Sequence, residues 1–182
     1  MNETAKHKLL ALLALCFRAL GLMKEQVKKL PPLPPAPPTV TIIPSPSRKL
    51  FDIAVSCIGK DMAPIEDEFG CAEAVNEIVY KTFGDYAGGG ASTYRMFSAL
   101  TAHKKFKQVS EGAAGDIIIS PTGTGNGKLA NGHTGIMGEN GSIMSNDSVS
   151  GFWQQNYSLD TWRARYQKLG GFPVLFFRRT TK

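Results

Sequence analysis

Residues 132–146 read GHTGIMGENGSIMSN. Asn140-Gly141 is a turn signal, because both residues accept the positive φ that a tight hairpin needs. It predicts an antiparallel pair in which a strand over His133 to Gly138 returns as Ser142 to Asn146. A two-residue turn would fix the register so that Gly135 faces Asn146, Thr134 faces Asp147 and His133 faces Ser148. Facing residues project from one side of a sheet. His133 and Asn146 would then be diagonal neighbours, roughly 7–8 Å apart at the backbone. Gly135 puts no side chain between them, and Asp147 points the other way unless a bulge shifts the strand.

Upstream, Asp116-Ile117-Ile118-Ile119-Ser120 reads as a further strand, as does Gly171 to Arg178 (GFPVLFFR) downstream. Before the strands come three helix signals. Leu50, Ile53, Ala54 and Cys57 fall on one face of a helix over Arg48 to Ile58, ended by Gly59. A second helix runs from about Gly70 to Phe83 and stops at Gly84. A third, capped by Ser92 or Thr93, reaches about His103 after the Gly88-Gly89-Gly90 loop. Helices first and antiparallel strands after predict an α+β domain over residues 48–182, with N-terminal helices packed on the sheet.

Outside it the composition changes. Residues 9–23 (LLALLALCFRALGLM) are apolar nearly all round, interrupted by Arg18 and flanked by lysines. At 1.5 Å per residue this helix would be shorter than the roughly 30 Å hydrocarbon core, so within residues 1–29 it is expected to be a membrane-interfacial or oligomerising helix, a short anchor or uncleaved signal, or a helix packed on the domain. Residues 30–47 hold a dense run of prolines and predict an extended linker. The 182 residues carry 21 Lys+Arg against 15 Asp+Glu, a net charge of +6, which favours an anionic partner surface. Three cysteines, Cys16, Cys57 and Cys71, rule out a disulfide framework.

Cys71 opens the second helix, where the dipole and unpaired N–H groups favour a thiolate and could hold an oxyanion. Glu66, Asp67 and Glu68 just upstream oppose this, and a small buried hydrophobe is the competing reading. A helix-start cysteine, a histidine and an amide able to orient it make up a nucleophile, base and orienter set. Other signals carry less. Gly123 to Lys128 lacks the residues of a phosphate loop. Cys57, Cys71, His103 and His133 lack metal-ligand spacing. Lys104-Lys105-Phe106-Lys107 reads as a solvated helix end, so no specific nucleic-acid contact is expected. Trp153, Tyr157, Trp162 and Tyr166 predict a core, a lid or a groove wall.

Ile53-Ala54, Ile58-Gly59, Gly70-Cys71-Ala72, Gly115-Asp116-Ile117-Ile118, Gly132-His133-Thr134-Gly135-Ile136 and Ser145-Asn146 follow one another over about residues 48–178. Together they resemble the papain-like peptidoglycan cysteine hydrolases of the NlpC-like and CHAP-like kinds, especially small phage-associated members. The resemblance implies a papain-like fold and hydrolysis of an amide bond in cell-wall peptide, with bacterial peptidoglycan as partner and no cofactor. Cys71 would be the nucleophile, His133 the base and Asn146 the polar third member, with Asp147 as its substitute and Asp116 structural. A phage-encoded lytic enzyme held at the cell envelope or in a virion is the implied setting. A catalytically silent wall-binding or virion protein of the same fold, or a membrane-active protein working through residues 1–29, are the alternatives.

Overall fold

The first helix starts on a proline. In the computed structural model, which describes residues 45–63, 65 and 70–181, α1 spans Pro46–Ser56. The helix expected over residues 9–23, most of the linker expected over residues 30–47, and the acidic Glu66, Asp67 and Glu68 lie outside the described residues. Ser45 Oγ accepts the Arg48 N–H at 3.2 Å, and the proline occupies the first turn, where its missing N–H has no partner to lose. The helix therefore begins inside the segment expected as linker. Leu50 and Ala54 are its buried face.

α2 (Cys71–Phe83) buries Ala72, Ala74, Val75, Ile78 and Val79 against β3 and β4, and ends where Gly84 turns left-handed at φ 75°. α3 (Thr93–Ala102) starts on a Ser92 side-chain cap. Six strands follow: β1 (Phe106–Val109), β2 (Ile117–Ser120), β3 (His133–Met137), β4 (Ser142–Asn146), β5 (Trp153–Ser158) and β6 (Leu175–Arg179). They form one antiparallel sheet in the order β1-β6-β2-β3-β4-β5. The fold is α+β, with the N-terminal helices packed on an antiparallel sheet.

The sheet is buried on both faces. Ile117, Ile119, Ile136 and Met144 meet the helices. Ile118, Met137 and Ile143 meet a second cluster containing Trp162, Tyr166, Phe172 and Phe176. β2 needs isoleucine on both sides for this reason, and each fully buried one contributes about 1.5–3 kcal/mol.

Two strands escaped the sequence reading. β1 lies in the segment expected as a helix end: Phe106 turns into the core while Lys107 turns out, an edge strand marked by charge. β5 carries Trp153, whose Nε1–H donates to the Ala54 carbonyl at 3.1 Å and ties the sheet edge to α1. The last strand starts at Leu175, later than expected, because Gly170 to Val174 first seat Phe172 in the second cluster.

The hairpin is where the expectation fails most informatively. Its turn has three residues, Glu139–Gly141, with Asn140 at φ 54° and Gly141 at φ 73°. Ile136 pairs with Met144 and Met137 with Ile143, one residue away from the register of a two-residue turn. Because side chains alternate, a one-residue shift moves every side chain of β4 to the other face. Ser145, not Asn146, is thereby placed on the His133 side.

The Gly115-Asp116 pair joins α1 to the sheet. At Gly115, φ is +82° and a Cβ would fall 1.7 Å from the Ser47 carbonyl oxygen. That close approach lets Asp116, fully buried, accept from Ser47 Oγ at 3.2 Å, from the Ala113 N–H at 2.8 Å and from Arg178 Nη2 at 2.7 Å. The pair's contacts are structural ones.

Candidate active site

His133 is the first residue of β3, and its ring is buried among aromatics. Tyr166 stacks on it at 5.5 Å and 18°, Trp162 lies at 5.4 Å, and Tyr157 meets it edge-on at 5.9 Å. His133 Nε2 is 3.0 Å from Ser145 Oγ, and Ser145 Oγ donates its one hydrogen to Asn156 Oδ1 at 2.7 Å. With that hydrogen committed, Ser145 can only accept from the ring, so Nε2 carries the proton and Nδ1 keeps a free lone pair. The Asn156 amide lies beside the Asp147 carboxylate and helps, as the smallest of several causes, to keep it ionised. Asp147 also accepts the Val149 N–H at 2.9 Å and the Ser150 N–H at 2.8 Å, and these bonds hold its carboxyl below the usual range. A directed chain thus runs from the imidazole through Ser145 to Asn156, with an ionised carboxylate beside it.

Cys71 sits half-buried at the start of α2. Desolvation pushes its thiol up to about 11, against the opposing pull of the Thr134, Ala72 and Cys71 N–H groups. The helix-start advantage is therefore present but outweighed. Burial likewise pushes His133 down to about 4, helped by the Arg165 charge and countered by Asp147. Both groups rest neutral, and among the described residues no hydrogen bond joins the Cys71 sulfur to His133.

The two residues line one cavity of about 280 Å³, together with Asn146, Asn156, Arg165 and Tyr166. A second cavity of about 540 Å³ shares Cys71, Asn131 and Gly132 with the first and extends along the loop over residues 89–95. Asn76, buried in α2, shapes that loop by accepting the Gly88 N–H at 2.9 Å and donating to the Gly88 and Gly90 carbonyls at 3.1 and 3.0 Å. The sulfur thus lies where two adjoining cavities meet, as a nucleophile attacking the middle of an extended chain would need to.

Asn146 corrects the sequence expectation. It is brought to the cavity, but from the sheet face opposite Ser145, and it makes no bond to His133. It is 4% exposed, and among the described residues its Oδ1 has no hydrogen-bond partner. The sequence reading also missed Ser145 and Asn156 as members of the His133 chain. Ser145 was one residue from the expected answer. Asn156 carried no local signal, since β5 reaches Ser145 only across a register shift between Ile143 and Ser145. Tyr157 and Tyr166, expected as core, lid or groove wall, line the cavity, whereas Trp162 is fully buried beneath it and donates from Nε1 to Ser120 Oγ at 3.1 Å. Among the described residues no cluster of three or more His, Cys, Asp or Glu could hold a metal ion. No helix among them is long and apolar enough to cross a membrane.

No protein-family model matches the chain, and no curated protein matches it by sequence. Among solved structures it is similar to NlpC2 from Trichomonas vaginalis, with a TM-score of 0.49 and 13% identity over 74% of this chain and 46% of that one. NlpC1 from the same organism gives 0.47 and 14%, over 74% of this chain and 43% of that one. The chain covers less than half the length of either.

Proposed function

We propose that this protein is a cysteine hydrolase that cleaves an amide bond in bacterial cell-wall peptide. The observation that carries the reading is the directed chain His133–Ser145–Asn156, which leaves Nδ1 of His133 unprotonated while its residue lines the same cavity as Cys71. His133 Nδ1 takes the Cys71 proton as substrate docks, and the sulfur attacks the scissile carbonyl. The N–H groups at the start of α2 hold the oxyanion of the tetrahedral intermediate. His133 returns the proton to the leaving amine, and the C–N bond breaks to give a thioester. Water, deprotonated by His133, then cleaves the thioester and restores the thiol. Asp147, named as a substitute third member from sequence, lines the same cavity beside Asn156.

The wall as substrate rests on the motif resemblance and on the net charge of +6, which suits an anionic polymer. The same setting accommodates a phage-associated lytic enzyme whose residues 9–23 contact a membrane and whose linker residues, from 30 to the start of α1, act as a tether.

The neutral resting pair favours a second reading, a catalytically silent wall-binding protein of the same fold. One experiment separates them. Purified peptidoglycan is digested with the full chain and with Cys71→Ala, and products are identified by mass spectrometry. Release of peptide fragments by the native protein alone is the expected result and identifies the bond. No release, together with no iodoacetamide labelling of Cys71 when wall peptide is present, refutes the hydrolase and leaves the binding protein.

A further inference from the structure

Arg165 projects from the π-helical turn Arg163–Leu169 into the lining of the cavity that holds Cys71 and His133. Its side chain is exposed, and among the described residues no carboxylate forms an ion pair with it. Asp147, the acid on the same cavity, is already occupied by the Val149 and Ser150 N–H groups. The guanidinium is nevertheless held in place. It lies 5.7 Å from the Tyr166 ring centroid, and Tyr166 stacks on His133. A π-turn is an uncommon element that tends to occur at functional positions, and here it carries both Arg165 and Tyr166 into the site.

We infer that Arg165 is a carboxylate-binding group of this site, so that the preferred ligand is a peptide bearing a free carboxylate within about three residues of the bond above Cys71. The inference rests on the hydrolase reading for its substrate, but the binding preference stands apart from turnover. Two further points support it. A planar guanidinium that lines a polar cavity and spends one donor on the Tyr166 hydroxyl keeps others for a two-pronged contact with a carboxylate that lysine cannot reproduce. Its positive charge also lowers the basicity of His133, a handicap that a bound carboxylate would relieve just as peptide arrives. The other ionisable groups lining the cavity around His133 are Cys71, Asp147, Tyr157 and Tyr166, and none of these supplies a free positive charge.

The test uses full-length Cys71→Ala protein and isothermal titration with three synthetic wall stem peptides. One has all carboxylates free, one is amidated at its C-terminus, and one is amidated at its internal D-glutamate carboxylate. The expected result is at least about tenfold weaker binding of one amidated peptide, which also identifies the carboxylate recognised. Adding Arg165→Gln should reduce that preference to near unity, and Arg165→Lys should retain part of it. Equal binding of all three peptides, a preference unchanged by Arg165→Gln, or no binding of any peptide would overturn the inference. Protein folding is checked by the His133 ring signals. Wall cleavage by the native protein without carboxylate preference would refute this inference and leave the hydrolase. Carboxylate-dependent binding without cleavage would do the reverse.

Discussion

Replacing Ser145 by alanine tests the His133 chain most directly. The substitution removes one oxygen that accepts from His133 Nε2 at 3.0 Å and donates to Asn156 Oδ1 at 2.7 Å. Ser145 is fully buried and His133 is 9% exposed, so water cannot readily replace the lost partner. A buried polar group left without its hydrogen bond costs about 1–3 kcal/mol, and the imidazole also loses what selects its Nε2–H tautomer. An outer partner of this kind is worth about 10–100-fold in activity, so kcat/KM for wall-peptide cleavage should fall by that factor. The paired control is Asn146→Ala. Its Oδ1 has no partner to lose, so unfolding free energy should change by less than about 1 kcal/mol. Imidazole nitrogen chemical shifts, read by NMR, give an assay independent of turnover. Ser145→Ala should mix the two neutral tautomers of His133, whereas Asn146→Ala should leave the ring nitrogens unmoved. The reverse pattern, with Asn146→Ala disturbing the ring and Ser145→Ala not, would refute the register and the chain built on it.

Two further outcomes follow from the scaffold. Asp85 is held at about 2 by its hydrogen bond from Arg179, with Lys105 adding to it, and Arg179 is 8% exposed with its guanidinium 4.0 Å from the Phe83 ring centroid. A depressed carboxylate stabilises the fold above its ordinary value of 3.8, and the contribution disappears as pH falls through that value towards 2. Asp85→Asn should therefore cost about 1–2 kcal/mol in urea unfolding at pH 7, allowing for solvent screening of a carboxylate that is 31% exposed. The deficit should shrink towards pH 2.5, and one that stays constant would contradict the linkage. Gly115→Ala should destabilise by at least about 2 kcal/mol, because the left-handed backbone and the Ser47 carbonyl both resist a Cβ. An unchanged melting temperature would show that α1 does not dock there.

Apolar periodicity and punctuation made much of the architecture legible. The inward faces of α1, α2 and α3 repeat at helical spacing and end at Gly59, Gly84 and His103. β2 shows itself as three consecutive isoleucines. Cys71 at a helix start and His133 at a strand start could be placed because both positions follow from local signals. β1 and β5 could not, since a four-residue edge strand with lysine and glutamine at its centre and a polar strand of glutamine and asparagine gain their structure from neighbours.

The sequence by itself determined the three helices, the strands β2, β3, β4 and β6, and the positions of Cys71 and His133. The tertiary structure decided which residues meet. An Asn-Gly pair favours a two-residue turn, but here Glu139 joins it in a three-residue one, and the one-residue difference exchanges Ser145 for Asn146 beside the imidazole. Asn156 reaches Ser145 across a bulged strand pair, and Arg165 reaches the cavity on a π-turn. The ionisation of the pair is tertiary as well. A helix start favours thiolate and an isolated histidine titrates near neutrality, but packing strips both of water and leaves Cys71 and His133 uncharged. Local sequence carries the dipole and the spacing. Desolvation and register depend on chain segments far apart in sequence, and only the folded chain brings them together.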